Sequence, residues 1–401
     1  MVIEKKIRSW HLLQTLLQLL LVTFSLIYSL FIHANGTAIF KTFVLIILIS
    51  LQFSVLNKNV NSKLIQCNYY FQAISITSTP IFFFTLVNDL LTKHTNMTIT
   101  TFVLCLITIY KIFMFIPMGE LTMGKVQNKW GRFCLLWFIY LIIEVESTYT
   151  IPTNPFLKAC TNSAIIGNLS FAVTTWFVMK KWGFVTPNFK LSSKISKIIL
   201  CILIIFIVID CLFNGFNGAD SWNGIFTNWN FRIATNNNLL YLTLSALAAG
   251  IGEEWMMRFC MLSFLLKLLQ NSSKQILEAI FLDGLIFGLI HLFNTPFQPL
   301  SATLLQVIQA MAAGILFSAL YLYTGTIISN IAYHFLYDLA GMITSGSILM
   351  LSPTIFDWQL SIFIVLIYLG LALFLVTGKR KKVVEYNLKF QGLNKKVFLN
   401  S

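Results

Sequence analysis

Charge is the first thing this sequence is short of. Only 14 acidic residues occur in 401, and charged residues of either sign make up 10% of the chain, against roughly 25% in an ordinary soluble domain. A soluble chain of this length would expose more surface than so few charges can cover, so a set of soluble domains is excluded. Paired cysteines are missing too. The seven cysteines contain no CxxC, which argues against a zinc ribbon or a redox pair and leaves buried free thiols. HExxH, GxSG and GxGD are also absent. Their absence removes a zincin helix, a serine nucleophile motif and an aspartyl motif from consideration.

Apolar residues are abundant. They reach 57%, with 37 phenylalanines, and the mean hydropathy is +0.79. A membrane-spanning helix needs about 20 largely apolar residues, and twelve segments qualify, at roughly 10–33, 38–56, 68–91, 98–117, 132–151, 160–180, 195–214, 237–267, 275–294, 300–322, 326–349 and 356–377. The expected fold is an all-α polytopic membrane protein of about twelve transmembrane helices. The first segment is too long for a signal-peptide core and lacks a small-residue cleavage site, so it reads as a retained anchor.

A net charge of +14 can indicate nucleic acid. Here the basic residues lie in short runs between apolar segments, the pattern of cytoplasmic loops, so the expected partner is membrane lipid and no nucleic acid. With the N-terminus inside, twenty-two basic residues fall on the cytoplasmic side. Only Lys41, Lys93, Lys158 and Arg232 fall outside, while Lys111 and Arg258 lie within spans. The most basic internal loop, 180–197, is a natural seam. The expected organisation is a six-helix membrane region over 1–189, a helical core over 190–378, and a basic cytoplasmic tail over 379–401 that rests on anionic headgroups. No internal repeat suggests transporter symmetry.

Ionisable groups inside a span are rare because each costs about 2.5–3.5 kcal/mol on insertion scales. The first six segments hold few polar groups beyond Glu144 and Glu146, which snorkel outward, and Lys111, which snorkels inward. His11, His33 and His94 lie near helix ends and read as interfacial. The eighth segment differs, because Gly252-Glu253-Glu254-Trp255-Met256-Met257-Arg258 sets two carboxylates and a guanidinium near mid-span. Unpaired, they would cost on the order of 8–10 kcal/mol together. Glu254 and Arg258 share a helix face and can pair. Glu253 points about 100° away and needs a partner on another helix or in a wet cavity.

Later segments offer such partners: Phe287 and His291 at i, i+4, His334 and Asp338 at i, i+4, and Asp283 on the side of His291. Three chemistries use such groups. One is hydrolysis by a carboxylate-activated water, a second is zinc hydrolysis with Glu253, His291 and His334 as ligands, and a third is proton-coupled transport. Spacing alone leaves all three open.

Together, Glu253-Glu254-x-x-x-Arg258, Phe287-x-x-x-His291 and His334-x-x-x-Asp338, with the run from Ala313-Gly314 through Tyr323-Thr324-Gly325-Thr326 to Ser329-Asn330 and His334, resemble the three motifs of the CPBP (Abi) family. That family comprises CAAX prenyl endopeptidases and bacteriocin-processing or immunity proteins. The resemblance spans roughly 237–340. It implies a CPBP-like catalytic bundle in the C-terminal half and an intramembrane endopeptidase acting on a membrane-associated peptide or protein. Glu253 and His291 would activate water, Glu254 and Arg258 would support the first motif, and His334 with position 338 would stabilise the oxyanion. No cofactor is required on this reading, with zinc the alternative. Two departures stand out. Cys260 replaces the family's glycine two residues after the arginine, and Asp338 stands where the eukaryotic enzymes carry asparagine. An ionised aspartate cannot donate to an oxyanion, so Asp338 would be protonated or would orient His334.

The composition, rich in Phe, Ile and Lys, points to a low-GC bacterium and a bacterial cell membrane. The competing functions are a non-catalytic scaffold or bacteriocin-immunity protein and a proton-coupled carrier. The charge asymmetry yields a direct test of topology: reporters fused at 185 and after 378 should both read cytoplasmic. An outside signal at either position means that a span has been miscounted.

Overall fold

The computed structural model describes residues 2–31, 35–56, 62–148, 154–234 and 238–390. Among them the chain is helical, with no strand beyond an isolated bridge between Asn217 and Trp229. It divides into two compact units, Met1–Gly183 and Phe184–Ser401.

The first unit holds α1 (Val2–Phe31), α2 (Gly36–Leu51), α3 (Ser62–His94), α4 (Met97–Lys111), the short α5 (Ile116–Leu121), α6 (Lys129–Thr148), the short α7 (Pro155–Asn162) and α8 (Ile165–Lys181). Its interior is more polar than the sequence suggests. On α1, His11, Gln14, Thr15, Gln18 and Ser25 are buried in one stripe at i, i+3 and i+4 spacing. His11 is therefore an interior residue rather than an interfacial one: its Nε2 lies 3.2 Å from the Gln52 carbonyl, and Gln52 Nε2 donates to Thr79 Oγ1 at 2.9 Å. Neutral polar groups of this kind join transmembrane helices by hydrogen bonds where lipid offers none. Lys111 does not snorkel either. It is 2% exposed, with its ammonium 4.5 Å from the centre of the Phe84 ring, a cation–π arrangement. His33 and the side chains of His94, Glu144 and Glu146 lie outside the described residues.

The second unit begins with α9 (Lys197–Phe216) and the single-turn α10 (Gly224–Thr227), then α11 (Leu239–Glu254). α11 continues through a π-helical turn, Trp255–Met261, into α12 (Leu262–Leu268). There follow α13 (Gln275–Ile290), α14 (Leu300–Thr324), α15 (Ile327–Ser345), α16 (Ile355–Val376) and α17 (Lys381–Phe390). α14 is the axis: α13, α15, α16 and α17 all pack on it, while α15 is flanked by α11 and α9. Every residue from Gly314 to Ile327 is buried, as expected of a helix surrounded on all sides.

Eight helices among the described residues are long and apolar enough to cross a membrane, fewer than the twelve expected. The other four expected segments are helical but fall short for physical reasons. α8 has only 17 residues. The α11–α12 rod and α15 carry the polar motif residues, which lower their hydropathy. α6 is long enough, at 20 residues, but carries Lys129, Arg132, Glu144 and Glu146.

α17 shows how the basic tail is attached. Lys381, Lys382 and Lys389 are exposed, while Val384 and Leu388 are 0% and 4% exposed. Asn387 Nδ2 donates to the carbonyls of Leu322 and Tyr323, each at 2.9 Å, satisfying two of the acceptors that a helix leaves unpaired at its C-terminus. Asn387→Leu strands those buried carbonyls, at about 1–3 kcal/mol each, and should lower the melting temperature of purified protein measurably. Lys389→Ala should not. Equal melting temperatures for the two variants would show that α17 is not docked as described.

Candidate active site

The site grows from the continuous rod of α11 and α12. Gly250 lets α15 come against it backbone to backbone, since a Cβ there would lie 3.0 Å from the Ile331 carbonyl oxygen and 3.1 Å from the Phe335 nitrogen. Beyond Glu254 the rod widens into the π-helical turn, a distortion that recurs at functional sites. Arg258 and Cys260 both sit in this turn, fully buried.

Arg258 organises the interior. Its Nε donates to Glu254 Oε2 at 2.9 Å, and its Nη1 donates to Asp283 of α13 and to Ser318 Oγ of α14, the latter at 3.3 Å. The guanidinium also lies 5.0 Å and 5.6 Å from the ring centres of Phe287 and Phe317. Ser318 Oγ is 2.6 Å from Asp283 Oδ2 and 2.8 Å from the Gly314 carbonyl; its one proton serves either. α13 and α14 approach closely enough for this because Gly284 faces Gly314, where a Cβ on Gly314 would lie 2.8 Å from the Gly284 Cα. The side chains of Glu254, Arg258 and Asp283 have no solvent exposure. Such a cluster persists only when its charges are paired; within it, Arg258 Nη2 and Asp283 Oδ1 are buried without a hydrogen-bond partner.

Glu254 carries the cluster over to α15. Its Oε2 also accepts from Asn330 Nδ2 at 3.2 Å, and its Oε1 lies 2.9 Å from His334 Nδ1. A carboxylate only accepts, so Nδ1 bears the proton and Nε2 faces the other way. There Nε2 meets Asp338 Oδ2 at 3.4 Å and Glu253 Oε2 at 3.8 Å. Glu253 and Asp338 are 23% and 24% exposed, against 0% for Glu254, so the open side of the site is the side bearing Glu253, His334 Nε2 and Asp338. His291 ends α13. Its Nδ1 lies 2.7 Å from the Phe287 carbonyl, and the Phe287 ring stands edge-on to the imidazoles of both His291 and His334, at 5.0 Å and 6.0 Å.

All six motif residues thus lie on α11, the π turn, the end of α13 and α15. The zinc alternative fares differently. Among the described residues no three His, Cys, Asp or Glu side chains are arranged to hold a metal ion, although the bond of His334 Nδ1 to Glu254 leaves Nε2 on the side of Glu253 and Asp338.

Three contributors lie outside the motif set. Asn330 falls on the same face of α15 as His334 and Asp338, at i, i+4 and i+8, and that spacing is legible in the sequence. Ser318 has no sequence signal beyond a hydroxyl in an apolar helix. Asp210 is the lone acid in α9, an isolated carboxylate in a span of mean hydropathy 2.8, and rarity alone flags it.

Comparison with curated proteins and with solved structures returned no match. A family model does match: type II CAAX prenyl endopeptidase Rce1-like, over residues 235–340. Those residues contain all three motifs and, apart from Asp210, the polar groups that join them. The segment that builds this site, residues 235–340, is thus similar to the CAAX prenyl endopeptidase family, and the protein is an all-α polytopic membrane protein.

Proposed function

We propose that this protein is an intramembrane endopeptidase that hydrolyses a membrane-associated peptide or protein with a glutamate-activated water. The observation that carries the reading is the contrast between the two adjacent glutamates. Glu254 is sealed in an ion cluster, whereas Glu253 is partly open and faces His334 Nε2 across 3.8 Å. A separation above a direct hydrogen bond is where a bridging water belongs.

In this mechanism Glu253 takes the proton from water as it attacks the scissile carbonyl, then passes it to the leaving amine. His334, donating from both ring nitrogens as an imidazolium between Glu254 and the Asp338 and Glu253 carboxylates, and His291 hold the water and the developing oxyanion. Arg258 and Glu254 act at one remove. They keep the Nδ1 proton of His334 in place, so that Nε2 faces the reacting atoms. Asp338, 3.4 Å from Nε2, orients the imidazole and need not donate to the oxyanion itself. No step requires a metal.

The adjacent residues should separate experimentally. Glu253→Gln keeps the shape and removes the base, so cleavage should fall by about 10²–10⁴-fold with membrane abundance unchanged. The measurement is comparative peptidomics of membranes carrying wild type and variant. Normal cleavage by the glutamine variant would sink the proposal. Arg258→Ala leaves two buried carboxylates without their cation, at about 3–5 kcal/mol, and should reduce folded protein as well as activity. Purified protein should also stay active in a membrane-accessible chelator. Stoichiometric zinc, with activity lost to the chelator and restored by zinc alone, would replace this mechanism with a metallopeptidase.

A further inference from the structure

On the far side of α15 from Glu254 lies a second polar contact that the proposed mechanism does not use. Asp210 of α9 accepts two hydrogen bonds on one oxygen, from Tyr333 of α15 at 2.6 Å and from Tyr368 of α16 at 2.7 Å. Both tyrosines are nearly inaccessible, at 2% and 4% exposure. A carboxylate within a span is costly and rarely retained without a role.

We propose that Asp210 is a positioning residue for the active site: through Tyr333 and Tyr368 it holds the rotation of α15 about its axis, and with it the placement of His334. This inference rests on the peptidase reading above.

Tyr333 immediately precedes His334, so the two side chains leave α15 about 100° apart. One is tied to α9 and the other to Glu254 of α11. Phe317 wedges between them, its ring centre 4.9 Å from Tyr333 and 5.5 Å from His334. Asn214 of α9 adds a third tie, donating to the Tyr337 carbonyl at 2.8 Å. Translation of α15 toward its neighbours is already blocked. It meets α11 at Gly250 and α9 at Gly215, where a Cβ would lie 2.7 Å from the Ala340 Cβ. Rotation is the softer coordinate.

Rotation also acts selectively on the chemistry. His334 and Asp338 share α15 and turn together, so their 3.4 Å separation survives. Glu253 sits on α11, so its 3.8 Å separation from Nε2 does not. At a side-chain radius of about 5–6 Å, a turn of about 10° moves the ring by about 1 Å. A misplacement of that size can cost about 10²-fold in rate.

The test uses full-length protein in membranes and a fluorogenic form of a peptide that membranes carrying the protein cleave and membranes lacking it do not. Asp210→Leu should lower kcat about ten- to a hundredfold with KM within about twofold. Asp210→Asn, whose carbonyl oxygen still accepts from both hydroxyls, should hold kcat within about threefold. Tyr333→Phe should resemble Asp210→Leu, and it carries the same expectation if the leucine variant does not accumulate. Wild-type kcat in both Asp210→Leu and Tyr333→Phe overturns the proposal. So does a loss of activity that only tracks loss of folded protein and is not rescued by asparagine. Glu253→Gln run alongside separates the two ideas. If it is inactive while Asp210→Leu is fully active, only the positioning role fails; if it is active, the peptidase reading itself fails.

Discussion

The site depends on one buried cation. Arg258 touches α11, α13 and α14 at once, through Glu254, Asp283 and Ser318. Two carboxylates in a dry interior repel each other and each favours water, so neither is tolerable without the guanidinium. A planar fork with fixed donors satisfies both in a way that a lysine's point charge does not. Glu254, once held, has a second oxygen to spare, and it is this oxygen that receives the His334 proton. The orientation of the imidazole is thus set two bonds away from Arg258, in a layer that water does not reach.

α15 shows the same economy. One face carries Asn330, His334 and Asp338 toward α11, while another ties Tyr333 to α9. Glycines at 250 and 215 bring both neighbours against its backbone, so small angular changes become changes at the imidazole. Close packing of this kind suits a site in which one pair of groups must stay separated enough for water.

The first unit is built by other means. Apart from Lys111, its described helices bury mainly neutral amides and hydroxyls, such as Gln14, Gln18, Gln52, Gln72 and Thr79. Neutral polar contacts hold transmembrane helices together at modest cost each, and they escape hydropathy-based reading because a single glutamine barely lowers the average of a long apolar window. The expectation of a nearly apolar N-terminal region failed for that reason.

The three motifs, their order and their helical spacing were present in the sequence itself, because intramembrane charge is so costly that each such residue stands out against apolar surroundings. The i, i+4 pairing of Glu254 with Arg258 was also legible, since it needs only helix geometry. What spacing left open was which helices meet. Asp283 lies 25 residues from Arg258 and Asn330 lies 76 residues from Glu254, and no periodicity links such positions. The π turn that houses Arg258 and Cys260 was invisible as well, because it answers to packing around the helix and leaves no mark in composition. The sequence separated the adjacent glutamates in direction, but not in exposure, with one sealed and one open to the site. That division follows from the 100° between successive helical residues together with the neighbour each then meets, and only the tertiary structure supplies the neighbour.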